Sequence, residues 1–229
     1  MQIVLATRNR DKAREIAELF ANVDIELRTL DDFPDAPVTV EDGDTLEANA
    51  LKKAREARAH TGLSALADDT GLEVDALGGA PGIFAARYAG EGASYADNCR
   101  KLLHEMRDVP PAERGARFRT VMALALAPAD AARLALYFAR RPADANPGAL
   151  DALLSEGMLP GTIAAAERGS SGFGYDPVFI DPATGCTLAE MTPEEKNSSS
   201  HRFRAAVGMR ELMLRHELVR ESGENQNGR

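Results

Sequence analysis

The sequence predicts a mixed α/β fold, and three observations carry that reading. Short apolar runs alternate with stretches of helical periodicity, Gly- and Pro-rich turns punctuate them, and hydrophobic residues make up 44% of the 229 positions, enough for a sizeable core. Residues 2–6 (QIVLA) read as a buried first strand. Thr7 and Asn9 then offer cap chemistry, and Ala13, Ile16, Ala17, Leu19 and Phe20 line one face of a helix. A Pro- and Asp-rich connection (Asp31 to Pro37) leads to a second helix from Thr45 to His60. A short strand (Ser64 to Ala67) follows, then an acidic turn, Asp68-Asp69-Thr70-Gly71, and a punctuated loop through Gly90. A helix spans Tyr95 to Met106. Two β-like runs come next, Arg117 to Ala127 and Arg133 to Ala139, parted by a turn containing Pro128 and Asp130. Residues 141–155 read as a surface insertion, and a strand is expected near Thr162 to Ala166. A Gly-rich loop (Gly169 to Pro177) precedes a strand through Ile180, and the last helix starts after Ser198 to Ser200. One domain over 1–220 and a disordered tail over 221–229, which has no apolar anchor, complete the expectation.

Composition excludes several classes. No apolar run approaches the roughly 18 to 20 residues of a membrane helix, so no membrane partner is expected. The start, MQIVLATRNRD, runs apolar before basic, the reverse of a signal peptide. Cys99 and Cys186 form no CxxC pair, which argues against a disulfide framework or zinc site and suits a reducing cytoplasm. A formal charge of -9 argues against a protein that coats nucleic acid, though not against a small anionic ligand.

Four segments hold candidate chemistry, and each has a bland reading beside the functional one. Thr7, Arg8, Asn9, Arg10, Asp11 and Lys12 lie between a strand and a helix, where free N–H groups suit phosphate; they also read as an ordinary capped helix start. Glu41, Asp68 and Asp69 supply hard oxygens that suit magnesium, because adjacent carboxylates crowd each other unless a cation joins them. The same residues read equally as a polar turn. Gly172 to Pro177 offers close backbone approach, aromatic faces and an acceptor, or simply a turn. Glu194 to Arg202 is a donor-rich run before a helix, or a solvated helix start.

Jointly, TRNRDK, ADDTGLEVDALGGAPGIFAARYAG, GFGYDPVF and EEKNSSSHR resemble, in order and spacing, the inosine/xanthosine triphosphate pyrophosphatase family. The resemblance runs from Met1 to about Leu218. It implies an α/β fold with an elongated mixed central sheet, two lobes flanking a nucleotide-binding cleft, and a homodimer. It implies a cytoplasmic enzyme that hydrolyses ITP, dITP and XTP to monophosphate and pyrophosphate, cleansing the nucleotide pool, with one or more Mg2+ ions per subunit. By this resemblance Thr7 to Lys12 would cradle the triphosphate and Lys53 would add a phosphate contact. Glu41 and Asp69 would hold the metal with Asp68 in support, and Asp69 would accept the proton of the attacking water. Thr70 would touch substrate. Phe173, Gly174, Tyr175 and Asp176 would line the base pocket, with Lys196, His201 and Arg202 at the base and its flanking phosphate. Ala48 and Ser171 depart from the family pattern, which often has a glutamate and a glycine there, and Ala129 to Leu159 is longer than the family suggests.

A 6-oxo base would match donors on Lys196, His201 and Arg202, whereas the 6-amino group of adenine would face donor against donor; guanine would be excluded through its 2-amino group. Two rivals share parts of this pattern. A pyrophosphatase for pyrimidine or modified nucleotides has the fold but lacks the SHR run. A silent nucleotide-binding module would not need the Asp68-Asp69 pair with Glu41.

Overall fold

The computed structural model describes residues 1–141 and 151–222. Seven strands and six helices follow one another in chain order among them. They are β1 (Gln2–Leu5), α1 (Arg10–Leu19), β2 (Glu26–Thr29), α2 (Leu46–Thr61), β3 (Ser64–Val74), β4 (Pro81–Gly82) and α3 (Tyr95–Glu105). Then come β5 (Gly115–Ala125), α4 (Pro128–Arg140), β6 (Ala152–Ile163), β7 (Phe179–Ile180), α5 (Pro193–Ser199) and α6 (His201–Arg215). The sheet order is β2-β1-β3-β5-β6-β7, with β4 paired to β3. β1 runs parallel to both β2 and β3, whereas β3–β4 and β6–β7 are antiparallel, so the sheet is mixed as expected. Val4 stands opposite Arg28 on one side and Ala65 on the other. A strand flanked on both sides is interior, which is why Ile3, Val4 and Leu5 are all buried.

The chain divides into two compact units, one of Met1–Asp69, Val121–Glu156 and Ala205–Arg229, the other of Thr70–Thr120 and Gly157–Arg204. The first has a core in which Ile3, Leu5, Ile16 and Leu66 meet Met122, Leu124, Leu134, Phe138, Met209 and Met213. The second buries Leu72, Val74, Leu102 and Met106 with Phe118, Ile163, Val178, Phe179 and Leu188. In that unit the Arg114 guanidinium donates to the carbonyls of Ile163, Met106 and Ala164, tying β5's start to the end of β6.

Helix starts follow their caps. The Asn9 side chain accepts from the N–H groups of Asp11 and Lys12, and the Thr45 hydroxyl accepts from Ala48 N–H. Thr192 with Glu195 forms a capping box on α5. The Ser200 hydroxyl accepts from Phe203 N–H at 3.1 Å, so the serine run does cap α6 and leaves His201 and Arg202 in its first turn.

Several expectations need correction. Asp68-Asp69-Thr70-Gly71 is not a turn: β3 runs straight through it, because pairing and burial override the turn preference of Asp and Gly. Arg133 to Ala139 is not a strand. Pro128 stands at the start of α4, and Leu134, Tyr137 and Phe138 bury the i, i+3, i+4 face of a helix. Glu194 to Ser199 lies within a helix of its own, α5, and the strand expected near Thr162 is the end of the longer β6. β2 was not anticipated, since four half-exposed residues carry little apolar signal. The expected insertion and tail fall largely on 142–150 and 223–229, outside the described residues. Of the remainder, Ala152 to Ser155 opens β6, and the Ser222 N–H donates to Asn22 O at 3.1 Å.

Candidate active site

Side chains alternate across a strand, so consecutive Asp68 and Asp69 leave β3 on opposite faces. Asp68 is 2% exposed and Asp69 5%, and each meets a lysine. Asp68 Oδ2 lies 3.3 Å from Lys12 Nζ, carried on the first turn of α1. Asp69 Oδ1 lies 2.8 Å from Lys53 Nζ, carried on α2. That ammonium also lies 3.1 Å from Glu41 Oε1 and donates to the Asp68 carbonyl at 2.7 Å. One cation thus gathers oxygens from three acidic residues. Asn49, one helical turn before Lys53, faces the same way: its amide donates to Asp69 Oδ2 at 3.4 Å and accepts from Gly43 N–H at 2.8 Å.

Burial works against the charge of Lys53, but the surrounding charges of Asp69, Glu41 and Asp68 outweigh it and hold its pKa above the ordinary value. Burial raises the Asp69 carboxyl above its ordinary value, with the charges of Lys53 and Lys12 pulling the other way. A carboxylate raised in this way is a better proton acceptor.

The rest of Thr7 to Lys12 divides. Thr7 Oγ1 accepts from Asn9 N–H at 3.1 Å, and Asn9 itself is the cap of α1. Arg8 donates to the Ala36 carbonyl, and Asp11 pairs with Arg14. Arg10 lies 3.9 Å from Asp31 with its side chain 90% exposed, a solvated pair. Ala48 is exposed, so the missing family glutamate leaves no gap in the buried face of α2.

The second unit assembles another group. Gly172 at φ +75° and Gly174 at φ +66° bend the chain so that Asp176 Oδ2 accepts from Phe173 N–H at 2.9 Å. The same oxygen accepts from Lys196 Nζ at 2.7 Å, a pair almost fully enclosed. Lys196 Nζ stands 4.7 Å from the Phe173 ring centre and the Arg202 guanidinium 5.5 Å, so two cations face one aromatic surface. Arg202, only 2% exposed, donates to Thr70 Oγ1 at 3.2 Å. His201 stacks on Phe118 with ring centres 4.5 Å apart and planes at 16°. Tyr175 is fixed by its hydroxyl to the Ala85 carbonyl at 2.9 Å, and burial pushes that phenol up. The Gly174 carbonyl accepts from the buried Cys99 thiol, itself pushed up to about 12 by burial and therefore inert.

The structure therefore brings Lys12, Glu41, Lys53, Asp68 and Asp69 together. It also brings together Thr70, Phe173, Gly174, Tyr175, Asp176, Lys196, His201 and Arg202. It engages the side chains of Arg8, Arg10 and Asp11 elsewhere. Sequence reading passed over Asn49 as an Asp69 partner and over Phe118 and Thr120 entirely. The period-2 burial of β5 was the available signal for the last two, but it reads as ordinary core.

The family model described as the Ham1 family matches residues 3–212. A dITP/XTP pyrophosphatase of Geobacillus kaustophilus is 45% identical over 210 residues, covering 92% of this chain and 93% of that protein. One of Geobacter sulfurreducens is 47% identical over 204 residues, covering 89% and 92%. A solved HAM1 protein from Coxiella burnetii superimposes with a TM-score of 0.77 at 36% identity, covering 94% of this chain and 99% of that one.

Proposed function

Since the chain belongs to the Ham1 family, we infer that it is a nucleoside triphosphate pyrophosphatase that hydrolyses non-standard purine nucleotides such as ITP, dITP and XTP. The products are the nucleoside monophosphate and pyrophosphate, so the activity removes bases that would miscode in DNA and RNA. The observation that carries this reading is the pairing of Asp68 with Lys12 and of Asp69 and Glu41 with Lys53, acid and cation side by side in a nearly dry setting. Lysines there suit a triphosphate, and a buried carboxylate beside them suits water activation.

In the proposed mechanism Lys12, Lys53 and the Thr7-to-Asn9 turn bind the phosphates. Asp69 takes a proton from the water attacking the α-phosphorus. The bond from that phosphorus to the bridging oxygen breaks, and pyrophosphate departs with its charge offset by the lysines. Phe173 to Asp176, Lys196, His201 and Arg202 hold the base, presenting donors to its 6-oxo group, while Thr70 touches substrate.

Glu41 and Asp69, with Asp68 in support, would hold magnesium. Their oxygens fit it: Glu41 Oε1, Asp69 Oδ1 and the Asp68 carbonyl already converge on one cation, the Lys53 ammonium, and all are hard donors. Among the described residues no group of three or more His, Cys, Asp and Glu is placed to hold a metal ion, so the proposal relies on Glu41 and Asp69 with water and phosphate completing the shell. Bound there, one or more ions per subunit would neutralise phosphate charge. A cytoplasmic homodimer completes the proposal. Both cysteines are free thiols, which suits a reducing compartment, and light scattering at working concentration tests the dimer.

The deciding experiment is a panel of ITP, dITP, XTP, GTP, ATP and CTP with magnesium, scoring pyrophosphate against orthophosphate. Pyrophosphate from the 6-oxo, non-guanine substrates is expected. Orthophosphate as the first product, or equal turnover of ITP and ATP, would overturn the reading.

A further inference from the structure

Phe118 and Thr120 are two residues apart on β5, so they share one face of the strand, and both are buried. Each seats one of two consecutive residues of α6's first turn. Phe118 does so directly, by the stacked contact with the His201 ring, and Phe179 backs it at 4.6 Å. Thr120 does so through an intermediary: its hydroxyl lies 2.7 Å from that of Thr70, which accepts from the Arg202 guanidinium at 3.2 Å.

The Thr70 hydroxyl is the link between Thr120 and Arg202. Thr120 is 0% exposed, and its hydroxyl has no hydrogen-bond partner but Thr70 among the described residues. Either hydroxyl can be the donor in this bond, and in both cases it ties Thr70 Oγ1 to a buried, immobile partner. A guanidinium has no acceptor, so Thr70 Oγ1 accepts from Arg202 whichever way its bond to Thr120 runs. With Thr120 in place, Thr70 is fixed as an acceptor toward Arg202, and the guanidinium is held between that oxygen and the Phe173 ring.

We propose that Thr120 is a positioning residue for base selection, acting through Thr70 to set the direction in which the Arg202 guanidinium points. Thr120 touches no substrate in this account. Without its hydroxyl, Thr70 can rotate away, and the guanidinium loses a fixed anchor on one side. A 6-oxo base, which gains from a well-aimed donor, suffers. A 6-amino base, which gained nothing from it, does not. The inference rests on the functional reading above, in which Arg202 faces the base.

The test compares kcat and KM for ITP and ATP in the full chain carrying Thr120→Val, which keeps the volume and removes the hydroxyl, and Thr120→Ser, which keeps the hydroxyl. Loss of one neutral hydrogen bond predicts that Thr120→Val lowers kcat/KM for ITP by about fivefold to tenfold, mainly through KM. The ATP value should move by less than about twofold, and Thr120→Ser should restore the ITP preference. Should Thr120→Val not fold, Thr120→Ala makes the same comparison. Equal losses on both substrates, an unchanged ratio, or a serine variant as impaired as the valine would mean that Thr120 only packs, and the inference falls alone. An unmodified protein that shows no preference for ITP over ATP overturns the functional reading and this inference with it.

Discussion

Replacing Lys53 with methionine isolates the charge at the centre of the acidic group, because methionine fills most of the same volume without an ammonium. Lys53 is enclosed, its side chain 11% exposed, and it reaches Asp69, whose side chain is 8% exposed. Removing one member of a buried ion pair leaves the other charge uncompensated and costs about 3 to 5 kcal/mol. Glu41 is 31% exposed and adds little to this, since water can take over its solvation. The Asp69 carboxyl, already raised by burial, can relieve part of the cost by taking up a proton, so the lower figure of about 3 kcal/mol is the better expectation. For a chain of this size each kcal/mol moves Tm by roughly 2 to 4 °C, giving a drop of about 6 to 12 °C for Lys53→Met. Differential scanning calorimetry without divalent ions measures it. Magnesium should then raise Tm more in the variant than in the unmodified protein, where the ammonium competes for the same oxygens. A drop smaller than about 2 °C would show that Asp69 does not depend on Lys53, and the account of a paired, nearly dry acidic group would be wrong.

Asp69→Asn leaves Lys53 paired with Glu41, so it should still fold, with lowered stability, and lose about 100-fold or more in turnover, read as pyrophosphate release with magnesium; near-normal turnover in the folded variant would remove Asp69 as proton acceptor. Arg202→Ala should lower the ITP-over-ATP preference in kcat/KM by about one to two orders of magnitude, the worth of a charged hydrogen bond. Lys12→Ala, on the phosphate side, should weaken both nucleotides together, and a selective loss there would exchange the two assignments. A Cβ at Gly172 would sit 2.1 Å from Asp176 Oδ2 at a φ of +75°, whereas one at Gly174 would meet nothing within 4 Å. Gly172→Ala should therefore displace Asp176 from Lys196 and raise KM for ITP at least about tenfold, while Gly174→Ala should cost only the local strain of about 1 kcal/mol. Comparable KM values for the two variants would show that the Asp176–Lys196 pair does not shape the base site.

Much of the chemistry was legible because it sits in local runs. Asn9 and Lys12 belong to one helix start, Phe173 to Asp176 to one glycine-bent turn, and His201 with Arg202 to one capped first turn. Short-range rules of capping, glycine conformation and charge reach that far without a tertiary structure. Helix and strand periodicity likewise placed α1, α2, α3, β1 and most of β5. Tertiary pairing decided what those rules could not. The acidic segment 68–71 has turn composition, yet strand pairing carried β3 through it and so sent Asp68 toward Lys12 and Asp69 toward Lys53. Arg133 to Ala139 is short and apolar, and only burial of Leu134, Tyr137 and Phe138 in one core made it a helix. Thr120, Phe118 and Asn49 carry no motif at all. Their partners Thr70, His201 and Asp69 lie 50, 83 and 20 positions away in sequence. Contacts over such separations exist only once the strands and helices have packed.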